Sequence, residues 1–322
     1  MVREPPVTVS PIRSRRVVGW GAPQDPARSS PDVIAVFGPT ASGKSTVAEA
    51  LADRLGTEVV SADALQVYRG LEILTNQPAR PTRLVGIRAL GEEMSVGEYA
   101  ELAHRDIDDV VEHRGVAVVA GGTGLYLRSA LVDLAIPPAP AEGARERWER
   151  VYDESPAAAL AELAAREPAA ARSIHRNDRR RVVRALELAE VGSSLVPPDG
   201  SGLLWTEHVR RPTLIVGLDV PPAELDRRIR ARADAMLAAG VVAEAEAARL
   251  AGASRTASKA LGLEELTTLS PTHAREQLVL RTRRYAAYQR KWMRRIPNLV
   301  VLDATRPTEE VVDEIVDLAR PR

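Results

Sequence analysis

One short stretch constrains this chain more than any other. Gly38-Pro39-Thr40-Ala41-Ser42-Gly43-Lys44-Ser45 follows the apolar run Val33–Phe37 and opens a segment with helical spacing from Lys44 to about Leu55. It fits G-x-x-x-x-G-K-[ST] in full, with a strand before it and a helix after it. The two glycines let backbone N–H groups converge on phosphate oxygens, and the helix N-terminus adds its partial positive charge. Lys44 adds a point charge, and the Ser45 hydroxyl is placed to hold Mg²⁺. Gly38 through Ser45 is therefore expected to bind a diphosphate. The loop alone does not say whether that diphosphate belongs to a nucleotide.

The order of segments extends the reading. Val59-Val60 ends a second strand, Ser95 caps a helix running to His113, and Val116–Ala120 is a continuous apolar run bounded by glycines. Leu214–Leu218 and Leu299–Leu302 are two more such runs. Apolar strands alternating with helices predict an α/β fold, a P-loop NTPase-like doubly wound parallel sheet. Residues 136–204 break the alternation with helical patterns and a Pro/Gly/Ser-rich segment, and read as a mainly helical insertion on a core formed by 32–135 and 205–322. The Pro/Arg-rich stretch 1–31 has no apolar h-region and reads as a disordered lead-in, not a secretory signal. No run approaches the roughly 18 apolar residues of a membrane span, so a cytoplasmic protein is expected.

Composition closes several routes. With no cysteine there are no disulfides, thiolate metal sites or Cys nucleophiles. The five histidines show no metal-binding spacing. The 44 basic and 44 acidic residues cancel, which at first sight disfavours nucleic acid as a partner. The cancellation hides segregation, however. Arg172–Arg184 holds six Arg and one Asp, and Arg281–Arg295 holds six Arg and one Lys with no acid, so these runs together carry +12. Such density suits a phosphate backbone, although a solvated helix face is the ordinary reading of a charge run.

Three further features surround the phosphate loop. The strand Val116–Ala120 ends in Gly121-Gly122-Thr123-Gly124 with no carboxylate, which counts against an ordinary ATPase, and the glycines read as a second close-approach turn. Asp63 follows the second strand, at the crevice end of such a sheet, where it serves either as general base or metal support, or as a cap of the next helix. Arg228 and Arg232 stand at i,i+4 and offer a clamp on a pyrophosphate from the side opposite Lys44. Ordinary surface arginines are the equally simple alternative.

Taken together, these segments resemble the tRNA dimethylallyltransferases, which modify the adenine on the 3′ side of the anticodon. GPTASGKS (38–45), SADALQVYRG (61–70), GGTGLYL (121–127), HRNDRRRVVRALE (175–187), ASKALGLEEL (257–266) and TRRYAAYQRKW (282–292) occur in family order. The resemblance implies that the loop holds the diphosphate of dimethylallyl diphosphate, with Mg²⁺ on Ser45, and that Lys44, Ser45, Arg228 and Asp63 form the catalytic set. Asp63 would take the proton from the adenine N6 amine. It also implies tRNA contacts, through the anticodon stem-loop, at Asp63, Ala64, Leu65, Gln66, Thr123, Arg145, Asn177, Asp178, Arg179, Arg180, Arg181, Lys259 and Gln289. A monomer is expected. Departures are visible: Ala64 replaces a common Ser, LVGIRALGEEMS replaces a His-His-x-x-Asp stretch, and Ala287-Tyr288 replaces a basic pair before Gln289. Two other classes remain open from the residues: a P-loop small-molecule or nucleotide kinase, and a nucleotide-dependent RNA-binding regulator. A prenyltransferase paralogue with another adenine-containing acceptor is a third.

Overall fold

The computed structural model describes residues 16–17, 30–134, 140–196 and 203–321. Most of the 1–31 lead-in, and residues 197–202 of the Pro/Gly/Ser-rich segment, lie outside the described residues. In chain order the strands are β1 (Arg16–Val17), β2 (Val33–Phe37), β3 (Val59–Ser61), β4 (Ala117–Gly121), β5 (Thr213–Asp219) and β6 (Leu299–Asp303). Helices α1 (Lys44–Leu55), α2 (Val96–Arg114) and α3 (Gly124–Leu131) interleave the first four. After them come α4 (Ala144–Glu154), α5 (Pro156–Arg166), α6 (Pro168–Ser173) and α7 (Arg179–Glu190). The C-terminal helices are α8 (Pro222–Ala238), α9 (Val241–Leu250), α10 (Leu263–Thr268), α11 (Pro271–Met293) and α12 (Thr308–Ala319).

The sheet order is β1-β6-β5-β2-β4-β3. Five strands are parallel, and the two-residue β1 pairs antiparallel with the edge of β6 through Arg16↔Val301 and Val17↔Val300. The pairing gives the lead-in one contact that its composition did not announce, since backbone groups at a sheet edge accept a strand of almost any sequence. All five side chains of β2 are buried, as a central parallel strand requires, and its register is fixed on both sides by Val36↔Ala120 and Val36↔Val216. β3 and β4 lie to one side of β2 and β5 and β6 to the other, so the crossover direction reverses at β2. Ligands in such sheets bind at that switch point, outside the carboxyl ends of the strands.

Packing makes the scaffold rigid. Ile34, Val36, Leu51, Val118, Val216 and Ile315 form one buried cluster joining the sheet to its helices. Leu51 is fully enclosed, and truncation of such a side chain to Ala typically costs about 2–5 kcal/mol. Ser95 caps α2, its Oγ accepting from the Glu98 amide (3.1 Å), and left-handed Gly115 ends the helix. Among the described residues, no helix is long and apolar enough to cross a membrane.

Residues Val132–His208 form a second compact unit. Its core gathers Trp148, Tyr152, Leu163, Val182 and Leu186 from α4, α5 and α7. Ser155 caps α5, with Pro156 at the first helical turn, where a missing N–H costs nothing. Glu187 is wholly buried and is held by Arg145 and Arg184.

Candidate active site

Loops after β2, β3 and β4, together with α8 and α11, enclose one cavity. The phosphate loop forms its base. Gly43 adopts φ 90° at the N-cap of α1, and Ala41 also has positive φ, 65°. A non-glycine residue held left-handed is locally strained, and its surroundings must hold it there. Two side chains do so. Gln289 of α11 accepts from the Thr40 amide (2.7 Å) through Oε1 and donates to the Gly122 carbonyl (2.8 Å) through Nε2. Arg232 of α8 donates to Thr40 Oγ1 (2.9 Å).

The same arrangement explains the glycines after β4. A Cβ at Gly121 would lie 2.0 Å from the Ala62 carbonyl oxygen, one at Gly122 would meet Gln289 Nε2 at 2.3 Å, and one at Gly124 would meet the Trp292 ring at 2.2 Å. The close-approach turn therefore meets neighbouring protein: the loop carrying Asp63 on one side and α11 on the other.

Charge within the cavity is concentrated. Burial lowers the Lys44 ammonium to about 8, against the opposing pull of Asp63 and reinforced by Arg232. Burial likewise lowers Arg232, and Asp63 pulls the other way. Asp63 Oδ1 accepts from the Leu65 amide (3.0 Å), which closes an Asx-turn. The residues that follow form turns and no helix, so the helix-capping alternative is not realised. Next to it, the Ala64 amide donates to Thr123 Oγ1 (3.3 Å), which lies 3.4 Å from the Tyr285 hydroxyl. Burial, then the Asp63 charge, pushes the Tyr285 phenol well up, so it remains neutral. Gln66 is pinned by Ser61 Oγ (3.1 Å) and by the carbonyls of Thr75 (3.3 Å) and Asn76 (3.0 Å).

Part of the cavity wall is apolar. Ile229, Ala233 and Met236 of α8 line it with Leu261 and Leu278. On α8 the spacing 229, 232, 233, 236 is one helical face, so a single helix delivers Arg232 to the loop and hydrocarbon to the wall. An amphiphilic diphosphate ester matches both.

The sequence-derived candidates divide cleanly. Thr40, Lys44, Ser45, Asp63, Leu65, Gln66, Arg232 and Gln289 all line the cavity. Ala64 and Thr123 stand just behind Asp63. Arg228 does not line it. Its guanidinium is held by Glu224 (2.7 Å) and the carbonyls of Ala304 (3.2 Å) and Ser42 (3.5 Å), so it braces the outside of the phosphate loop. Gln289 is only 1% exposed, with both ends of its amide engaged. Lys259 is exposed on a 3₁₀ turn.

In the second unit, Arg145 is tied to buried Glu187, and Arg179 engages Asp153 (2.7 Å) and Glu149 (3.2 Å). Asp178 caps α7 by accepting from the Arg181 amide (3.2 Å). Asn177, Arg180 and Arg181 are exposed. Sequence reasoning missed Tyr285 and the apolar face of α8. The spacing of α8 carried a signal for the latter, but nothing local marked Tyr285.

For a metal, the phosphate loop offers the Ser45 hydroxyl, and Asp63 lines the same cavity. No cluster of three or more His, Cys, Asp or Glu side chains suited to a metal occurs among the described residues. Mg²⁺ commonly takes one or two protein oxygens and completes its octahedron with water and substrate phosphates, so Ser45 beside a diphosphate fits that ion.

Comparison with known proteins gives the same direction. Residues 66–296 match the IPP transferase family, and residues 31–88 match the isopentenyl transferase family. A tRNA dimethylallyltransferase of Streptomyces griseus is 40% identical over 291 residues, covering 86% of this chain and 92% of the relative. That of Kineococcus radiotolerans is 39% identical over 308 residues, covering 89% and 94%. The crystal structure of a tRNA isopentenylpyrophosphate transferase from Staphylococcus epidermidis superposes with a TM-score of 0.63 at 28% identity, covering 89% of this chain and 98% of that one. A eukaryotic dimethylallyltransferase shares the fold, with a TM-score of 0.73 at 24% identity and coverage of 91% and 81%. The phosphate loop, the carboxylate turn and the glycine turn thus lie in a chain that belongs to the tRNA dimethylallyltransferase family of transferases.

Proposed function

We propose that the chain moves the dimethylallyl group of dimethylallyl diphosphate onto the N6 amine of the adenine 3′ to the anticodon in tRNA. The observation that carries the reading is the placement of Asp63 in the same cavity as Lys44 and Arg232, beside an apolar stretch of wall. The diphosphate sits on residues 38–45, where Lys44 and Arg232 stabilise the negative charge that grows as the allylic C–O bond breaks. Ser45 would hold Mg²⁺, which adds positive charge against the departing diphosphate. The N6–C bond forms as that C–O bond breaks, and the N6 proton passes to Asp63. The Asx-turn engages Asp63 Oδ1 in orienting the carboxylate, and the other oxygen, which makes no hydrogen bond among the described residues, is left for the amine. Arg228 supports the loop from outside, and Gln289 fixes its shape.

The target adenine must leave its stack to enter the cavity, at a cost of a few kcal/mol. Asn177, Arg180, Arg181 and Lys259 are offered to tRNA phosphates and sugars on the ground of their exposure, Arg181 also lying 3.6 Å from Asp178. Arg145, Asp178 and Arg179 are less exposed and their bonds serve the second unit's own architecture. On this reading a single copy of the chain carries out the reaction, in the cytoplasm with tRNA.

The test is incubation with labelled dimethylallyl diphosphate and unmodified tRNA, with ATP and small acceptors in parallel. Label enters tRNA with the wild-type chain, and Asp63→Ala loses about 10²–10⁴ in the chemical step while its tRNA affinity holds. ATP turnover without tRNA labelling would overturn the reading.

A further inference from the structure

Helix α11 sorts its positive charge by direction. Arg281 pairs with Glu265, Arg283 with Asp226, and Arg290 with Asp219 (2.9 Å) while also donating to the Val220 carbonyl. Those three arginines are neutralised within the fold. Arg284 and Lys291 are exposed and have no ion pair among the described residues. Positions 284, 288 and 291 follow i, i+4, i+7 and share one stripe of the helix. The residue between the two free cations is Tyr288, which is 53% exposed.

A single exposed ring is ordinary by itself. What sets this one apart is continuity with the cavity. The Tyr288 ring lies 6.4 Å from that of Tyr285 at an interplanar angle of 25°, and Tyr285 lines the cavity. From the other side Trp292 meets Tyr288 edge-on at 6.4 Å and 76°. Trp292 is itself fixed against Gly124, where even a methyl group has no room. Aromatic surface thus runs from the wall beside Asp63 to solvent, braced from behind and flanked by two free cations. Stacked rings with adjacent Lys and Arg are how proteins hold unpaired nucleotides, because every base has a π-face and every nucleotide a phosphate. An apolar protein partner would not call for the two unneutralised cations.

Resting on the tRNA reading above, we infer that Tyr288 is the stacking platform for an unpaired base next to the adenine that enters the cavity. Arg284 and Lys291 hold the phosphates on either side of that base. The platform keeps the opened loop at the cavity mouth, and so replaces part of the stacking that the extruded adenine loses.

The experiment uses the full chain and anticodon stem-loop RNA carrying 2-aminopurine in place of the base 5′ or 3′ to the target adenine, in two separate RNAs. The wild-type chain quenches the fluorescence at one of these positions. Tyr288→Ala removes the quench and weakens RNA binding by about 5- to 150-fold. Tyr288→Phe keeps both, because the ring face is what binds. With Tyr288→Ala, KM for RNA rises, kcat at saturating RNA is unchanged, and the salt slope of binding stays as in the wild type. Arg284→Ala and Lys291→Ala each flatten that slope and leave the quench intact. A Tyr288→Ala chain that binds and quenches like the wild type overturns the inference. So does a Tyr288→Phe chain that fails as badly as Tyr288→Ala, or a wild-type chain that quenches neither RNA. Binding and quench are read without chemistry, so a wild-type chain that stacks the RNA but transfers no prenyl group counts against the proposed reaction and supports the platform.

Discussion

Replacing Gly121 with Ala tests whether the spacing between β4 and the Asp63 turn sets the reaction rate. The new Cβ would sit 2.0 Å from the Ala62 carbonyl oxygen and 2.4 Å from its carbon, both backbone atoms with no rotamer to escape into. Restoring ordinary contact needs a displacement of roughly 1.4 Å. The Ala62 amide is anchored to the Ala120 carbonyl (2.7 Å), so the shift is forced on the turn that follows. Asp63 is the next residue. Overpacking of this kind costs about 1–3 kcal/mol of stability, and a misplacement of about 1 Å in a reacting group costs on the order of 10² in rate. Urea denaturation should therefore show a chain that still folds, and single-turnover prenyl transfer at saturating donor and tRNA should fall about a hundredfold. Gly91→Ala is the matched control, since its Cβ meets nothing nearer than 3.7 Å and should leave the rate alone. If Gly121→Ala folds and reacts at the wild-type rate, the close approach does not position Asp63, and the account given for the glycine turn is wrong.

Other outcomes follow from the same structure. Lys44, held near 8 by burial, loses its charge as pH rises through that value, so KM for the diphosphate donor should climb above about pH 8. Lys44→Arg should flatten that rise, and a wild-type KM that is level from pH 7 to 9.5 would remove the ammonium from donor binding. The linkage to folding has the opposite sense: the unfolded chain binds this proton more tightly, so the cost of burying Lys44 is present below about 8 and fades towards the unfolded value. Arg180→Ala should reduce the salt slope of tRNA binding by about one contact, whereas Arg179→Ala should lower the melting temperature and leave the slope alone, as measured by filter binding and thermal unfolding. Glu187→Ala, which leaves Arg145 and Arg184 without their buried acceptor, should destabilise by about 3–5 kcal/mol in urea titration.

Several of the elements that matter could be read directly from neighbours in the chain. The run Val33–Phe37 followed by Gly38–Ser45 specifies strand, turn and helix within a few residues, because backbone hydrogen bonds and left-handed glycines act locally. An apolar run bounded by glycine likewise marks β4, and Ser95 announces the start of α2. Tertiary contacts decided which charges are free. Arg281, Arg283 and Arg290 look identical to Arg284 in a count of charge, yet each meets an acid brought in by α10, α8 or the end of β5. Arg179 and Arg145 met the same fate on α7 and α4.

Gln289 shows the division most sharply. Its sequence context is a basic amphipathic helix, but its amide closes a bridge between Thr40, 249 residues away, and Gly122, 167 residues away. Side-chain periodicity carries no record of such a partner, since the bond exists only once the sheet has set the loops after β2 and β4 side by side. Neighbouring residues mark a loop able to bind phosphate and a carboxylate at the strand end beside it. The tertiary structure decided which groups remain open to a ligand, because a buried polar group must find its partner within the fold before it is free for anything else.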